Sequence, residues 1–318
     1  MFRRSHRRLI EVERGIYAFG TKFLGHRLNS LPVLSQIQAK LVALQITNNV
    51  LKLGLQDPLF IYPHGKFYVP LCREFKRQGF PLVHVCMDYE LPEQMEHVRF
   101  SDLTLALPEA AFEELNTQFP GKIRHLPQLG LLPAPRVSQG VQEVPSDLSM
   151  IPRPRLVYLG DIQRRADMAL LRAFLTRRPD WHFVYFGAKR HSPLANEHAL
   201  SWRSRKELEE VIPGVDVGFL PYDCSDPKNL HCVPLKLFDY FAKGLPVVST
   251  PIVYMRTYAD LVYIGGTAEQ LEKSVSEAIN EPYGSPKKAR RMAAAQDHSI
   301  ENMSPLLTRL LQEIDKPQ

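Results

Sequence analysis

No uninterrupted apolar run in this 318-residue chain approaches the roughly 18 residues that a membrane-spanning helix requires. The opening "MFRRSHRR" runs into "LIEVERG" and lacks the apolar core of a secretory signal. The expectation is therefore a chain that stays in the cytoplasm. There are only four cysteines, at 72, 86, 224 and 232, and no two form a C-x-x-C pair. Neither a zinc knuckle nor a disulfide framework is indicated, and reduced, mostly buried thiols are expected. Signatures of RRM, zinc-finger and helix-turn-helix modules are missing, which argues against nucleic acid as a partner. No G-x-G-x-x-G follows any strand-like run, which counts against a nicotinamide-dependent oxidoreductase. Internal repeats and low-complexity tracts are absent as well.

What is present describes a globular protein: 44% hydrophobic and 23% charged residues with a formal charge of +6. That charge is unevenly placed, since four arginines and a histidine fall within the first eight residues. Such a cluster suits peripheral contact with the anionic inner face of a cell membrane. A frayed, solvated terminus is the plainer reading. A length of 318 residues predicts two domains of roughly 150 each. Five prolines with Ser, Gln and Gly in "PAPRVSQGVQEVPSDLSMIPRPR", Pro133 to Arg155, mark a linker between two apolar-rich halves. The expected domains are residues 1–145 and 150–300, with a C-terminal helix in 301–318.

Beyond the linker, "RLVYLG", "WHFVYFG", "VDVGFLP", "PVVST" and "LVYIGG" alternate with helical stretches near Arg165 to Arg177, Arg205 to Val211, Pro234 onward and Thr267 to Ile279. Short apolar runs without polar alternation suit strands covered on both faces, hence a parallel sheet wrapped by helices. In the first half "PLFIYP", "PLVHVCMD", "DLTLALP" and "KIRHLP" read as four more strands, with the longest helix within Leu31 to Leu53. "SPLLTRLLQEI", Ser304 to Ile314, reads as an amphipathic helix. The fold class is α/β: two Rossmann-like, doubly wound domains facing a cleft, where strand carboxyl ends would hold a ligand.

The stretch "PLKLFDYFAKGLPVVST", Pro234 to Thr250, carries the sharpest chemical signal. Pro234 suits the first helical position, and Val233 offers no capping oxygen, so the first-turn amides are open to an anion. Lys236, at the third position, sits where the helix dipole disfavours a cation unless a phosphate is bound there. Asp239, one turn further on the same face, could accept both hydroxyls of a ribose. Against this stands an ordinary surface network in which Lys236, Asp239 and Lys243 form ion pairs.

The same stretch resembles the donor-binding signature of the group 1 family of GT-B glycosyltransferases, P-x-K-x-x-E-Y-x-A-x-G-x-P-V-V. "LVYLGDIQRRADMALLRAFLTRRPDWHFVYFG" resembles the first β-α-β unit of that family's C-terminal domain, and "GVDVGFLPYD" its following strand. "DPLFIYPHG", "PLVHVCMDYE" and "SDLTLALPEAAFEELNTQFPGKIRHLPQ" are similar to N-terminal domains of bacterial polysaccharide-assembly members. The resemblance implies a GT-B fold and nucleotide-sugar-dependent, retaining, metal-independent transfer to a saccharide or lipid-linked acceptor. It also implies that Asp239 holds the ribose and Lys236 the diphosphate. Where the family often has a first glutamate, this chain has His231. The family's opening strand and glycine-rich loop have no counterpart before residue 55, so a shortened N-terminal domain is expected.

The donor-binding set is thus Gly160, Arg164, Arg165, Gly187, His231, Pro234, Leu235, Lys236 and Asp239. Gly160 and Gly187 end apolar strands, where a backbone can approach a ligand closely, though each could be a plain turn glycine. Arg164 and Arg165 could grip a diphosphate bidentately or stay solvated, while Asp167 suits a helix cap. Asp88 and His64 follow first-half strands and are the candidates for assisting proton removal from the acceptor, with loop or turn roles as alternatives. No metal ligands and no cofactor beyond the nucleotide sugar are expected. The rival reading is a GT-B-like binding or regulatory protein that kept the nucleotide site and lost transfer.

Overall fold

The computed structural model describes residues 10–13, 16–18, 32–63, 65, 68–128, 144–160, 162–163, 165–187, 194–282 and 284–314. The chain forms two compact units, one running to Leu126 and joined by the residues from Leu310, the other comprising Pro127–Arg309.

The first unit holds four strands, β3 (Phe60–Pro63), β4 (Leu82–Cys86), β5 (Leu103–Ala106) and β6 (Ile123–His125), parallel and in sequential order. Helices α2 (Tyr68–Arg77), α3 (Leu91–Phe100) and α4 (Glu109–Gln118) connect them, because parallel neighbours require crossovers. All four strands are where the apolar runs predict them. Strand β5 is buried at every position, as a sheet covered on both faces demands. The 21-residue α1 (Pro32–Lys52) packs Ala39, Val42 and Ala43 against Leu71, Cys72 and Phe75. A separate antiparallel ribbon, β1 (Ile10–Glu13) with β2 (Ile16–Ala18), precedes it and does not join the four-stranded sheet.

The second unit is a six-stranded parallel sheet in the order β12-β11-β10-β7-β8-β9. Its strands are β7 (Arg155–Tyr158), β8 (His182–Phe186), β9 (Glu197–Leu200), β10 (Val217–Leu220), β11 (Val247–Ser249) and β12 (Val262–Ile264). Two halves run outward from the β7/β10 pair, the Rossmann arrangement, whose ligand crevice lies at that switch point. Its helices are α5 (Ser146–Ser149), α6 (Met168–Arg177), α7 (Arg205–Val211), α8 (Pro227–Leu230), α9 (Leu235–Ala242), α10 (Ala268–Ile279) and α11 (Pro286–Asp297), and α12 (Ile300–Gln312) begins in it and ends past its last residue, Arg309.

Several boundaries differ from the sequence expectation. Helix α6 begins at Met168, not near Arg165, because Asp167 caps it by accepting the Leu170 amide at 2.9 Å. Helix α12 starts at Ile300 and carries Pro305 inside it. The stretch read as linker is partly folded: Leu148 of α5 and Val144 pack into the core of the second unit, over Gly214. Residues 129–143 lie outside the described residues. Strand β9 was not foreseen, since "EHAL" at the sheet edge is half-buried throughout and shows no apolar run. Cys72, Cys86 and Cys232 are buried free thiols and Cys224 is half-buried, as expected.

Candidate donor site in the second unit

Helix α9 is built to be held rigidly. Leu237, Phe238, Tyr240, Phe241 and Ala242 are all buried. The helix closes in a Schellman turn, with Gly244 (φ +69°) donating to Phe241 O at 2.8 Å and Leu245 to Tyr240 O at 3.0 Å. Glycine suits that left-handed corner because it has no Cβ to strain. The Tyr240 hydroxyl then pins the helix to β7: it donates to Val157 O and accepts from the Leu159 amide, both at 3.0 Å. Its ring lies across β10, where a Cβ on Gly218 would fall 2.5 Å from the ring. The sequence held one signal for this packing, a glycine inside the strand-like "VDVGFLP". Tyr240→Phe should destabilise the protein by about 1 to 2 kcal/mol, since the buried Leu159 amide loses its acceptor. Urea unfolding measures this, and an unchanged midpoint would count against the pin.

At its N terminus α9 corrects the expected register. Pro234 is the N-cap, with extended φ −71° and ψ 112°, and not the first helical residue. Its carbonyl accepts the Leu237 amide at 3.0 Å, so Lys236 is at the second helical position and not the third. The consequence for an anion is unchanged, because no side chain caps this turn.

The Lys236 ammonium lies 4.7 Å from the centre of the Tyr158 ring at the end of β7. Gly160, two residues on, has φ +114°, and a Cβ there would meet Lys236 Cε at 3.4 Å. Glycine here accepts a left-handed backbone that other residues take only with strain. Burial pushes the Lys236 ammonium down to about 8; neighbouring Arg165 lowers it further, and Asp239 opposes the shift. Asp239 is itself buried, on the same face of α9.

Arg165 comes from the loop after β7. Its Nη1 donates to Asn229 Oδ1 at 3.3 Å, and its guanidinium carbon is 5.9 Å from the Tyr222 ring centre. Asn229, on α8, is buried and donates to the Asp223 carbonyl at 3.1 Å, holding the segment after β10 beside the segment after β7. Tyr158 and Tyr222 approach with ring centres 6.1 Å apart, and burial raises the Tyr222 hydroxyl well above its ordinary value. Asn229, Tyr158, Tyr222 and Gly218 escaped sequence reasoning, and Tyr240, the Y of the signature, was noted without its role in pinning α9.

The structure thus brings Gly160, Arg165, Lys236 and Asp239 together beyond the carboxyl ends of β7 and β10. Pro234 and Leu235 form the start of α9, buried and half-buried respectively. His231 is the C-cap of α8, three residues before that start. Gly187 follows β8 directly and donates to Leu200 O at 3.1 Å. Arg164 lies outside the described residues, as does His64. In the first unit, Asp88 is half-buried in the loop after β4, and its carbonyl accepts from the Gln94 side chain. Gly65, next to His64 in the chain, donates to Nε2 of the buried His97 at 3.1 Å. This bond, unforeseen from sequence, ties Gly65 to α3.

No protein-family model matches the chain. TuaH of Bacillus subtilis (strain 168), which bears the name of a teichuronic acid biosynthesis glycosyltransferase, is 31% identical over 109 residues. That match covers 30% of this chain and 26% of TuaH, so the chain spans about a quarter of this relative. Among solved structures, trehalose 6-phosphate synthase from Burkholderia multivorans superposes with a TM-score of 0.65 at 11% identity, covering 89% of this chain and 77% of its own. The UDP-forming trehalose-phosphate synthase from Burkholderia vietnamiensis gives 0.65 at 13%, covering 90% and 79%. The fold is GT-B. Of the residues gathered beyond β7 and β10, Lys236 and Asp239 stand at the K and E positions of the signature quoted above.

Proposed function

We propose that the protein is a glycosyltransferase that moves a sugar from a nucleotide-sugar donor to a saccharide or lipid-linked acceptor in polysaccharide, lipopolysaccharide or glycan assembly. The observation that carries this reading is Lys236, a desolvated ammonium set beside the Arg165 guanidinium at an uncapped helix start. Two cations at a positive dipole end repel each other, and a diphosphate beside them would offset that repulsion. The same charges would take up the negative charge that develops as the donor's diphosphate departs, in place of a divalent ion. Relatives named for UDP-forming synthesis and for teichuronic acid biosynthesis support the donor class and the type of assembly. Asp239 holds the ribose diol, and transfer proceeds with retention of anomeric configuration. Asp88 and His64 are the candidates for assisting the acceptor hydroxyl. A lipid-linked acceptor would bring the chain to the inner face of the cell membrane.

Calorimetry with UDP, GDP, dTDP and their sugars, followed by a transfer assay on the donor that binds, tests the proposal. Asp239→Asn should weaken a ribonucleotide by about 1.5 to 3 kcal/mol, the range for a hydrogen bond to a charged group. The 2′,3′-dideoxy counterpart should bind the variant and the native protein alike. Equal losses for both nucleotides would show that Asp239 does not read the diol.

A further inference from the structure

Helix α1 is apolar on two opposite faces. One face is buried against α2, as described above. On the other, Val33, Ile37, Leu41, Leu44 and Leu51 are exposed by 69%, 45%, 43%, 53% and 70%. At 3.6 residues per turn these five fall within an arc of about 80°, together with exposed Asn48. Twelve large hydrophobic residues are exposed among the described residues, and this one helix contributes five of them. Scattered singly they would need no explanation, but aligned along 21 residues they form a continuous stripe.

The charges around the stripe say what covers it. Helix α1 contains no acidic residue, and its two lysines, Lys40 and Lys52, are both exposed and lie at opposite margins of the apolar arc. Lysines in that position can extend their stems along an apolar surface and place their ammonium groups among headgroups. Residues 1–31, immediately upstream, carry seven Lys and Arg against two Glu, most of the net charge of the protein. In a symmetric pair of α1 helices these lysines would find no acidic partner along the seam, which disfavours a second copy of the chain.

From this we infer that α1 docks on the surface of an anionic bilayer, its apolar stripe at the headgroup boundary and Lys40 and Lys52 against the lipid phosphates. The helix lies in the surface; no helix among the described residues is long and apolar enough to cross a membrane. This deepens the membrane part of the reading above and is independent of the donor site, so the two can fail separately.

The test is co-sedimentation of the full chain with vesicles of phosphatidylcholine alone and with vesicles containing about one third phosphatidylglycerol. Native protein should bind the anionic vesicles at least tenfold better than the neutral ones, with binding weakened by salt. L41E/L44E should lose at least tenfold in vesicle binding while keeping its thermal midpoint and its nucleotide affinity, because both positions are exposed. K40A/K52A should lose the preference for anionic lipid and keep the fold. Undiminished vesicle binding by L41E/L44E, or no binding by the native chain, overturns the inference. So does a native dimer in light scattering that L41E/L44E converts to monomer, which would make the stripe a self-association surface.

Discussion

Replacing Lys236 with methionine should make the ligand-free protein more stable and at the same time remove most of its affinity for a nucleotide sugar. The lysine's ordinary value of 10.5 is depressed to about 8 in the folded chain, chiefly by burial and then by Arg165. That gap corresponds to about 3 kcal/mol at most, held against folding wherever the side chain is charged in both states. Methionine retains the apolar stem, and losing the contact with Tyr158 returns part of the gain. A net stabilisation of about 1 to 2 kcal/mol at pH 7 is therefore expected by urea unfolding. The sign follows from proton counts. The unfolded chain binds more protons than the folded one between about 8 and 10.5, so the penalty is complete below about 8 and gone above 10.5. The advantage of the variant should shrink across that window.

Binding moves in the opposite direction. A diphosphate beside Lys236 favours its charged form, so affinity is greatest below pH 8 and falls as pH rises beyond it. Lys236→Met should lose about 10- to 100-fold in affinity, the equivalent of one charge-assisted contact, and should lose this pH dependence as well. A variant that destabilises the chain and binds the donor normally would make Lys236 an ordinary structural residue. The combination expected here is that of a site strained until its ligand arrives.

How much of this was legible beforehand depended on burial. Of the strands that the sequence revealed, β5, β7 and β10 are buried at every position and appear as mainly apolar runs. Strand β9 hides because an edge strand needs no such run. Lys236 and Gly160 were singled out separately, from a helix start and a strand end, and the switch-point rule explains why residues 76 apart in sequence meet. The register of α9 was misjudged by one residue because proline suits both the cap and the first turn, and only its backbone decides. Asn229 and Tyr222 were missed because their value is in holding Arg165, a relation between distant segments that no local pattern records.

Gly218 offers the most severe test of how the site is supported. Alanine there would place its Cβ 2.5, 2.6 and 2.9 Å from three atoms of the Tyr240 ring, distances that packed carbon atoms do not tolerate. The ring is fully buried, and its hydroxyl is committed to Val157 O and the Leu159 amide, so it cannot retreat without breaking two hydrogen bonds. Gly218→Ala should thus cost about 3 kcal/mol, the upper part of the usual range for overpacking, although alanine by itself favours a strand over glycine. Because α9 carries both Lys236 and Asp239, its displacement should weaken donor binding in step with stability. A double-mutant cycle isolates the cause: with Tyr240→Leu already in place, the ring is gone and Gly218→Ala should cost less than about 1 kcal/mol. Additive losses would mean that the glycine serves something other than the tyrosine. Coupled losses would locate the rigidity of the proposed donor site in one contact between a bare strand and an aromatic ring.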